Sequence, residues 1–375
     1  MKKFKNLFLV CFTLVTLFAL TSCLAIDQNT TLQFTTLPEE QYVVDQYSEE
    51  EFKETVKITV NGEQVVSLAA LEKAGATVSK IDFTTPGKQT IIISYEGALL
   101  TFEFYVVRGS TFVAQIGDTN YKTIQEAFAA VEANGEEVTI KLVGNQIIRN
   151  ASNYVVTVKA NQKVKLDLNG YSVKGYFQND KSVGLVKITA NGQLTVEDNS
   201  AEQSGALVAE GMYDSDPYNV SLSVISNQQG NLIINSGNII NECGYCAWGA
   251  YAIDNLTNGG NGEATLTING GYVKSTAYRA IRLFANGTQY YNTAIINGGT
   301  IESPNNNAIW VQQPNANPNL AKLVVGSNAT VISGGEYEGT PRYSISVGNS
   351  EAFIIEISAD ANINHKENFK PEWVK

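Results

Sequence analysis

The order of apolar and polar residues along the chain predicts short β-strands separated by turns over most of its length. Residues 100–106 alternate polar and apolar side chains with period two, as a half-buried strand does. A second apolar run covers residues 91–95, and the turn signals Pro86-Gly87 and Glu96-Gly97 bracket it, which predicts a hairpin. The pattern places an all-β unit at residues 37–109.

One segment has helical spacing instead. Apolar side chains recur at three- and four-residue steps from Ile124 to Val131, and Asn134-Gly135 follows as an end signal. The spacing predicts a short amphipathic helix over about residues 121–133. Its place at the start of the next domain, residues 110–375, would let it cover the open first edge of that domain.

The remainder of the chain contains an internal repeat. The sequence Ile-Asn-Gly-Gly, or a close variant, occurs at 234–237, 268–271, 296–299 and 332–335, with 34, 28 and 36 residues between the final glycines. An Ala-Ile or Ser-Ile element follows nine residues after three of these glycines. Two short strands of this period cannot bury a core alone, so the repeat predicts a solenoid of stacked coils.

The repeated Asn-Gly segments predict the turns of this solenoid. We expect Asn235, Asn269 and Asn297 to occupy equivalent turns in successive coils, with the glycines that follow them at positive φ.

Two parts of the chain resemble known families. The order Pro86-Gly87, strand, Tyr95-Glu96-Gly97, then residues 101–104 resembles the bacterial Ig-like domains of surface proteins, over residues 37–109. The predicted helix, followed by Val-Thr-Ile-Lys-Leu at 138–142 and Val-Lys-Leu-Asp-Leu-Asn-Gly at 164–170, resembles pectate-lyase-like right-handed β-helix proteins, over residues 110–375. The resemblances imply an all-β protein: a small Ig-like β-sandwich, then a right-handed parallel β-helix with an N-terminal capping helix.

The N-terminus has the pattern of an export signal. Lys2, Lys3 and Lys5 precede an apolar run over residues 7–20, which is too short to span a bilayer comfortably. The run ends in Leu20-Thr21-Ser22-Cys23, which resembles the bacterial lipoprotein lipobox. We therefore predict a signal peptide at 1–22, lipid on Cys23, a tether over 23–36 and a protein anchored to the outer face of a bacterial membrane. An ordinary cleaved signal peptide is the alternative.

Charge and composition narrow the functional classes. The chain has 26 basic and 37 acidic residues, a net charge of −11, which argues against nucleic acid as a partner. Its single histidine, His365, excludes a Ser-His-Asp triad or a multi-histidine metal centre elsewhere. The Asn-x-Asp, Asp pair, Gly-His-Gly and Arg-x-Lys of polygalacturonases do not occur. We predict no catalytic residues, metal site or cofactor.

The repeat places three chemically distinctive residues in one column. Asp254, Arg282 and Trp310 each follow an Ala-Ile pair and are 28 residues apart. If the isoleucines point inward, these residues point outward from the sheet, where an aromatic ring, a guanidinium and a carboxylate suit a neutral or weakly acidic sugar. Tyr278, in an adjoining loop, would extend the aromatic surface. Alternatively, Asp254 and Arg282 form a cross-coil ion pair and the 312–319 loop covers Trp310.

This column favours a binding or adhesion module for a glycan or another surface protein. A polysaccharide lyase or glycoside hydrolase is the alternative: Arg279 or Arg282 could act as the base, but lyase chemistry also needs Ca²⁺ held by several carboxylates. Asp214 and Asp216 supply two carboxylates in a loop of unknown position. A third hypothesis is a passive scaffold whose partner binds the Ig-like unit.

After processing, one cysteine pair remains, Cys243 and Cys246 in Cys-Gly-Tyr-Cys. Outside the cell, a local disulfide or a pair of thiols is the first expectation. A metal shared with another molecule comes second, and redox catalysis third because no helix start is predicted here.

Overall fold

The computed structural model describes most of the chain as two compact units, one ending at Val107 and the other formed by the residues after it. The described residues are 30–35, 38, 41–43, 47–107, 112–148, 153–177, 183–210, 222–243, 249–258, 262–286, 291–312, 320–337, 339–348 and 353–375. The predicted signal peptide, Cys23, the Asp214–Asp216 segment and Cys246 lie outside them. Among the described helices, none is long and apolar enough to cross a membrane.

The described residues of the first unit form two small sheets and two helices. One sheet has the order β1-β3-β4 and the other β2-β7-β6-β5. Its elements are β1 (Leu32–Phe34), β2 (Gln41–Val43), α1 (Glu49–Thr55), β3 (Lys57–Val60), β4 (Gln64–Ser67), α2 (Leu68–Lys73), β5 (Thr77–Val78), β6 (Gly87–Tyr95) and β7 (Ala98–Val107). The hairpin β6–β7 lies where the sequence predicts it. Strand β1 lies inside the segment expected to be a tether, because Phe34 is buried in the core of this unit.

The two helices of this unit were not predicted from the sequence. Each has a serine at its N-cap: the hydroxyl of Ser48 accepts from the amide of Glu51, and that of Ser67 from Ala70, both at 3.1 Å. Each helix then buries apolar side chains, including Phe52 in α1. The serines were a usable signal, but α1 and α2 have seven and six residues, too few for apolar periodicity to stand out.

The second unit begins with a hairpin and a short helix. Strands β8 (Ala114–Ile116) and β9 (Thr119–Tyr121) precede α3 (Ile124–Ala130). The hydroxyl of Thr123 accepts from the amide of Glu126 at 3.1 Å, and the helix ends because Val131 adopts an extended backbone. Its apolar face, with Ile124 and Phe128, is buried in the same core as the strands that follow. The helix thus lies within the predicted segment 121–133 but is shorter.

The remaining strands form a right-handed parallel β-helix of about six turns. Each coil contributes to three parallel ladders. The first ladder is β10 (Glu137–Leu142), β13 (Lys163–Asp167), β16 (Gln193–Glu197), β19 (Asn231–Ile234), β22 (Ala264–Ile268), the first parts of β25 (Asn292–Ser303) and β27 (Ala321–Ser333), and β31 (Phe353–Ile357). The second is β11 (Gln146–Ile148), β14 (Ser172–Tyr176), β17 (Ala206–Glu210), β20 (Asn238–Asn241), β23 (Tyr272–Ser275), the later parts of β25 and β27, and β32 (Asn362–Ile363).

The third ladder carries the predicted site. Its strands are β12 (Tyr154–Val158), β15 (Val183–Ile188), β18 (Leu222–Gln228), β21 (Ala250–Asn258), β24 (Ile281–Asn286), β26 (Ile309–Gln312) and β30 (Ile345–Val347). A hairpin, β28 (Glu336–Tyr337) and β29 (Thr340–Pro341), and a 3₁₀ turn at Pro371–Trp373 complete the unit. The expectation of two strands per coil is wrong. The strand of the second ladder begins immediately after the Gly-Gly turn, so the sequence pattern did not show it as a separate strand.

The expected turns are confirmed. The side-chain amide of Asn269 donates to the side-chain oxygen of Asn235 at 2.9 Å, and that of Asn297 donates to Asn269 at 2.8 Å. Gly271 and Gly299 have φ of +85°, a conformation that costs glycine little. One asparagine ladder therefore runs along a corner of the solenoid.

The inward column of the third ladder is confirmed as well. Ile253, Ile281, Ile309 and Ile345 pair in register and are fully buried. The core of this ladder also contains asparagine. Asn255 lies two residues after Ile253, and the side-chain amide of Asn227 in the neighbouring strand donates to its side chain at 2.6 Å. Because the isoleucines face the core, the residues after them face outward.

Candidate functional site

Asp254, Arg282 and Trp310 lie side by side on the outer face of the third ladder. Asp254 pairs with Arg282, Arg282 with Trp310, and Trp310 with Ser346 in the last strand. Burial alternates along these strands: Ile309 and Val311 are buried, while Trp310 and Gln312 are half-buried. The equal spacing in the sequence therefore does produce a column across adjacent strands.

Asp254 and Arg282 form a closed ion pair. The Arg282 Nε atom donates to Asp254 Oδ1 and its Nη2 atom to Oδ2, both at 2.7 Å, and Asp254 is only 3% exposed. Burial works against the charge of Arg282, but the charge of Asp254 and its hydrogen bonds outweigh burial and raise the pKa of Arg282. The guanidinium is therefore permanently charged. Both carboxylate oxygens of Asp254 are already occupied, as the ion-pair alternative predicts.

Aromatic rings surround this ion pair. The guanidinium carbon of Arg282 lies 4.6 Å from the ring centre of Tyr251 and 4.8 Å from that of Phe284. The ring of Tyr251 meets Tyr278 edge-on, with 5.5 Å between the ring centres. These distances are within the range of cation–π and edge-to-face contacts. The rings therefore hold Arg282 in place in addition to the ion pair with Asp254.

A second arginine lies against Trp310. Arg279 comes from the turn before β24, and its guanidinium carbon is 4.0 Å from the centre of the Trp310 ring and 4.3 Å from that of Tyr278. Trp310 is half-buried, and Arg279 accounts for one contact of its ring; residues 313–319 of the loop expected to cover it lie outside the described part of the chain. We call the group the arginine–aromatic cluster; its members are Tyr251, Asp254, Tyr278, Arg279, Arg282, Phe284 and Trp310.

Neither Arg279 nor Tyr251 was predicted from the sequence as a binding residue. Arg279 was considered only as a base for lyase chemistry. A signal did exist, because Tyr278-Arg279 directly precedes the repeated Ala-Ile element of its coil. What the sequence did not show is that this turn brings the guanidinium back over Trp310 of the next coil.

Several polar atoms on this face are buried without a hydrogen bond. Within the described part of the chain, Tyr251 Oη, Arg279 Nε, Arg279 Nη1 and Gln312 Oε1 find no partner. Tyr251 is fully buried, and burial, more than the neighbouring charges, raises the pKa of its phenol, so it stays protonated. Buried polar groups are normally satisfied, so these four atoms are exceptions.

The face is poor in carboxylates. In the described strands of the third ladder, Asp254 is the only acidic residue. Glycoside hydrolysis commonly needs two carboxyl groups about 5–10 Å apart. On the second ladder, Glu210 and Glu242 do converge, but on the ammonium of Lys174, at 2.5 and 3.1 Å. Among the described residues, no group of three or more His, Cys, Asp or Glu side chains could hold a metal ion.

A separate cavity of about 600 Å³ lies at the C-terminal end of the β-helix. Its lining includes Phe353, Ile355, Lys370 and Trp373. Gly348 links the cavity to the strand that carries Trp310. It lines the cavity, and its amide donates to the carbonyl of Val311 in β26 at 2.9 Å. The cavity is a second place where a ring-shaped ligand could lie, and a test of binding has to distinguish the two.

The cysteine pair is only half described. Cys243 is fully buried at the end of a second-ladder strand, and its amide donates to the side chain of Asn241 at 3.0 Å. Cys246 lies outside the described residues, so the disulfide between them stays a prediction.

Comparison with known proteins does not add a function. No protein-family model matches the chain, and no curated protein matches it.

Proposed function

We propose that this protein is a surface-anchored binding module whose β-helix recognises a glycan through the arginine–aromatic cluster. The observation that carries the proposal is Trp310: it is a half-buried indole on a sheet face, beside buried polar atoms that lack partners. Sugar recognition combines an aromatic ring against the apolar side of a pyranose with hydrogen bonds to its hydroxyls. The cluster supplies both kinds of group.

The rest of the chain suits the same role. We propose that lipid on Cys23 anchors the protein to the outer face of a bacterial membrane, as the lipobox-like Leu20-Thr21-Ser22-Cys23 suggests. The first unit, which resembles a bacterial Ig-like domain in sequence, would act as the spacer. Helix α3 would cover the first coil of the solenoid, since an uncovered coil presents unpaired strand edges to other chains.

Binding is preferred to catalysis because of the chemistry of this face. Asp254 is held by two hydrogen bonds from Arg282, so it is not free to act as an acid, a base or a nucleophile. The lyase or hydrolase alternative would need a site elsewhere on the chain. Product analysis of every bound glycan decides between the two, because intact glycan supports binding while shortened or unsaturated products support an enzyme.

The test is a glycan array probed with the full chain in detergent and with two tryptophan variants. Trp310→Ala should weaken glycan retention about 2- to 30-fold, the usual value of one ring contact. Its unfolding midpoint should stay close to the parent's, because the ring is only half-buried.

Trp373→Ala is the matched control, since Trp373 is also a half-buried tryptophan but lines the C-terminal cavity. Loss of retention in Trp373→Ala alone would assign binding to the cavity. A parent protein that retains no glycan on the array would contradict the proposed function itself.

A further inference from the structure

Arg279 is a half-buried cation that has no counter-ion among the described residues. The cluster has two guanidiniums, Arg279 and Arg282, and one carboxylate, so its formal charge is +1. Both oxygens of Asp254 are taken by Arg282, and Arg279 Nε and Nη1 are buried without an acceptor in the described part of the chain. This local excess is unusual in a chain whose net charge is −11.

Two of the three guanidinium nitrogens of Arg279 are thus shielded from solvent, although the side chain as a whole is half-buried. Burying a charged donor without an acceptor costs more than burying a neutral one, because the hydration of the charge is lost. Two aromatic rings, Tyr278 and Trp310, contact the guanidinium of Arg279. Rings stabilise the charge through their π electrons but accept few hydrogen bonds. Nε and Nη1 of Arg279 therefore remain without a hydrogen-bond acceptor among the described residues.

We infer that Arg279 binds a single anionic group, a carboxylate or a sulfate ester, carried by the glycan that contacts Trp310. This inference rests on the proposed function and narrows its ligand class. A guanidinium pairs with planar or trigonal oxyanions through charge-assisted hydrogen bonds. The net charge of −11 repels a densely charged polymer, so the ligand is a sparsely charged acidic glycan.

Two other polar atoms in this part of the third ladder have no hydrogen-bond partner among the described residues. Gln312 Oε1 is an acceptor on the strand of Trp310, and Tyr251 Oη is a donor that is fully buried beside Arg282. A water molecule could form a hydrogen bond to each of these atoms. Water is neutral, however, and would leave the positive charge of Arg279 uncompensated.

The experiment is a glycan array printed with neutral, carboxylated and sulfated versions of the same oligosaccharides, probed with the full chain in detergent. The parent should retain acidic versions about 10- to 100-fold better than their neutral counterparts. Arg279→Gln should abolish that preference, because retention of the acidic versions should fall by more than retention of the neutral ones. Comparing the two acidic series identifies which oxyanion is bound.

Lys187→Gln is the matched control. Lys187 is another half-buried cation on the outer face of the third ladder, three strands or about 14 Å away from Arg282. The Lys187→Gln variant should keep the parent's full preference for acidic over neutral glycans. A loss of preference in Lys187→Gln equal to that in Arg279→Gln would show a general charge effect and overturn the inference.

Folding is checked on the same samples. Because Arg279 lacks a counter-ion, Arg279→Gln should unfold at the parent's midpoint or above it. If Arg279→Gln does not fold, Arg279→Lys, which keeps the charge but not the planar donor group, should reduce the acidic preference. Equal retention of neutral and acidic glycans by the parent would overturn this inference and leave the proposed function standing. No retention of any glycan would overturn both.

Discussion

The stacked glycine turns provide the sharpest test of the fold. Gly271 has φ of +85°, and a Cβ atom added to it would lie 2.5 Å from the carbonyl oxygen of Gly237 in the preceding coil, about 1 Å inside van der Waals contact. That oxygen accepts the ladder hydrogen bond from the amide of Tyr272 at 3.0 Å. The coils cannot separate here without breaking this bond, so Gly271→Ala should be strongly destabilising.

Gly135 offers a matched control within the same unit. Its φ is also +85°, but nothing lies within 4 Å of the Cβ that alanine would add. Both variants incur about 1–2 kcal/mol of left-handed backbone strain, partly offset by the lower entropy of the unfolded chain. Gly271→Ala adds about 1–3 kcal/mol of steric overlap. We expect a loss near 1 kcal/mol for Gly135→Ala and about 2–4 kcal/mol for Gly271→Ala.

The assay is denaturant unfolding followed by tryptophan fluorescence. All three tryptophans, Trp248, Trp310 and Trp373, lie in the second unit, so the signal reports this unit and not the first. Equal losses in the two variants would mean that the close approach between coils is wrong. A Gly271→Ala protein as stable as the parent would refute the register of the turns as well.

Two further predictions concern a buried carboxylate and the anchor. Asp198 is 2% exposed and accepts from the amides of Gly170, Ser200 and Gly205 at 2.6–3.0 Å; burial opposes its charge, but these bonds prevail and lower its pKa. Asp198→Ala should therefore cost about 2–5 kcal/mol at pH 7, whereas the exposed Asp360→Ala should be neutral. Because the folded-state pKa of Asp198 is lowered, the full difference should be present above about pH 4 and should shrink as the pH falls from there through the folded-state pKa. A difference that grows on acidification would contradict this. For the anchor, Cys23→Ala should move the protein from the membrane to the soluble fraction on fractionation, and a variant that still pellets and resists washing would rule out the lipid.

The sequence alone determined the solenoid, its turns and the register of the predicted column. These features depend on periodicity: a motif that recurs at the coil length must occupy the same corner of each coil. The equal spacing of Asp254, Arg282 and Trp310 placed them on adjacent strands, and the repeated asparagines marked a continuous ladder. The short helices near Phe52 and Leu68 were missed because six or seven residues give too little periodicity to outweigh the β-rich context.

Only the tertiary structure decided which charged groups of this face are paired. Spacing shows which residues are neighbours across a ladder, but not how their side chains pair. Asp254 and Arg282 neutralise each other by a bidentate bond. Arg279, from a turn outside the column, lies over Trp310, and no described carboxylate pairs with it. Burial, stacking and the local balance of charge depend on which turn folds over which strand. Contacts between coils determine which turn folds over which strand, and no local pattern of residues encodes those contacts.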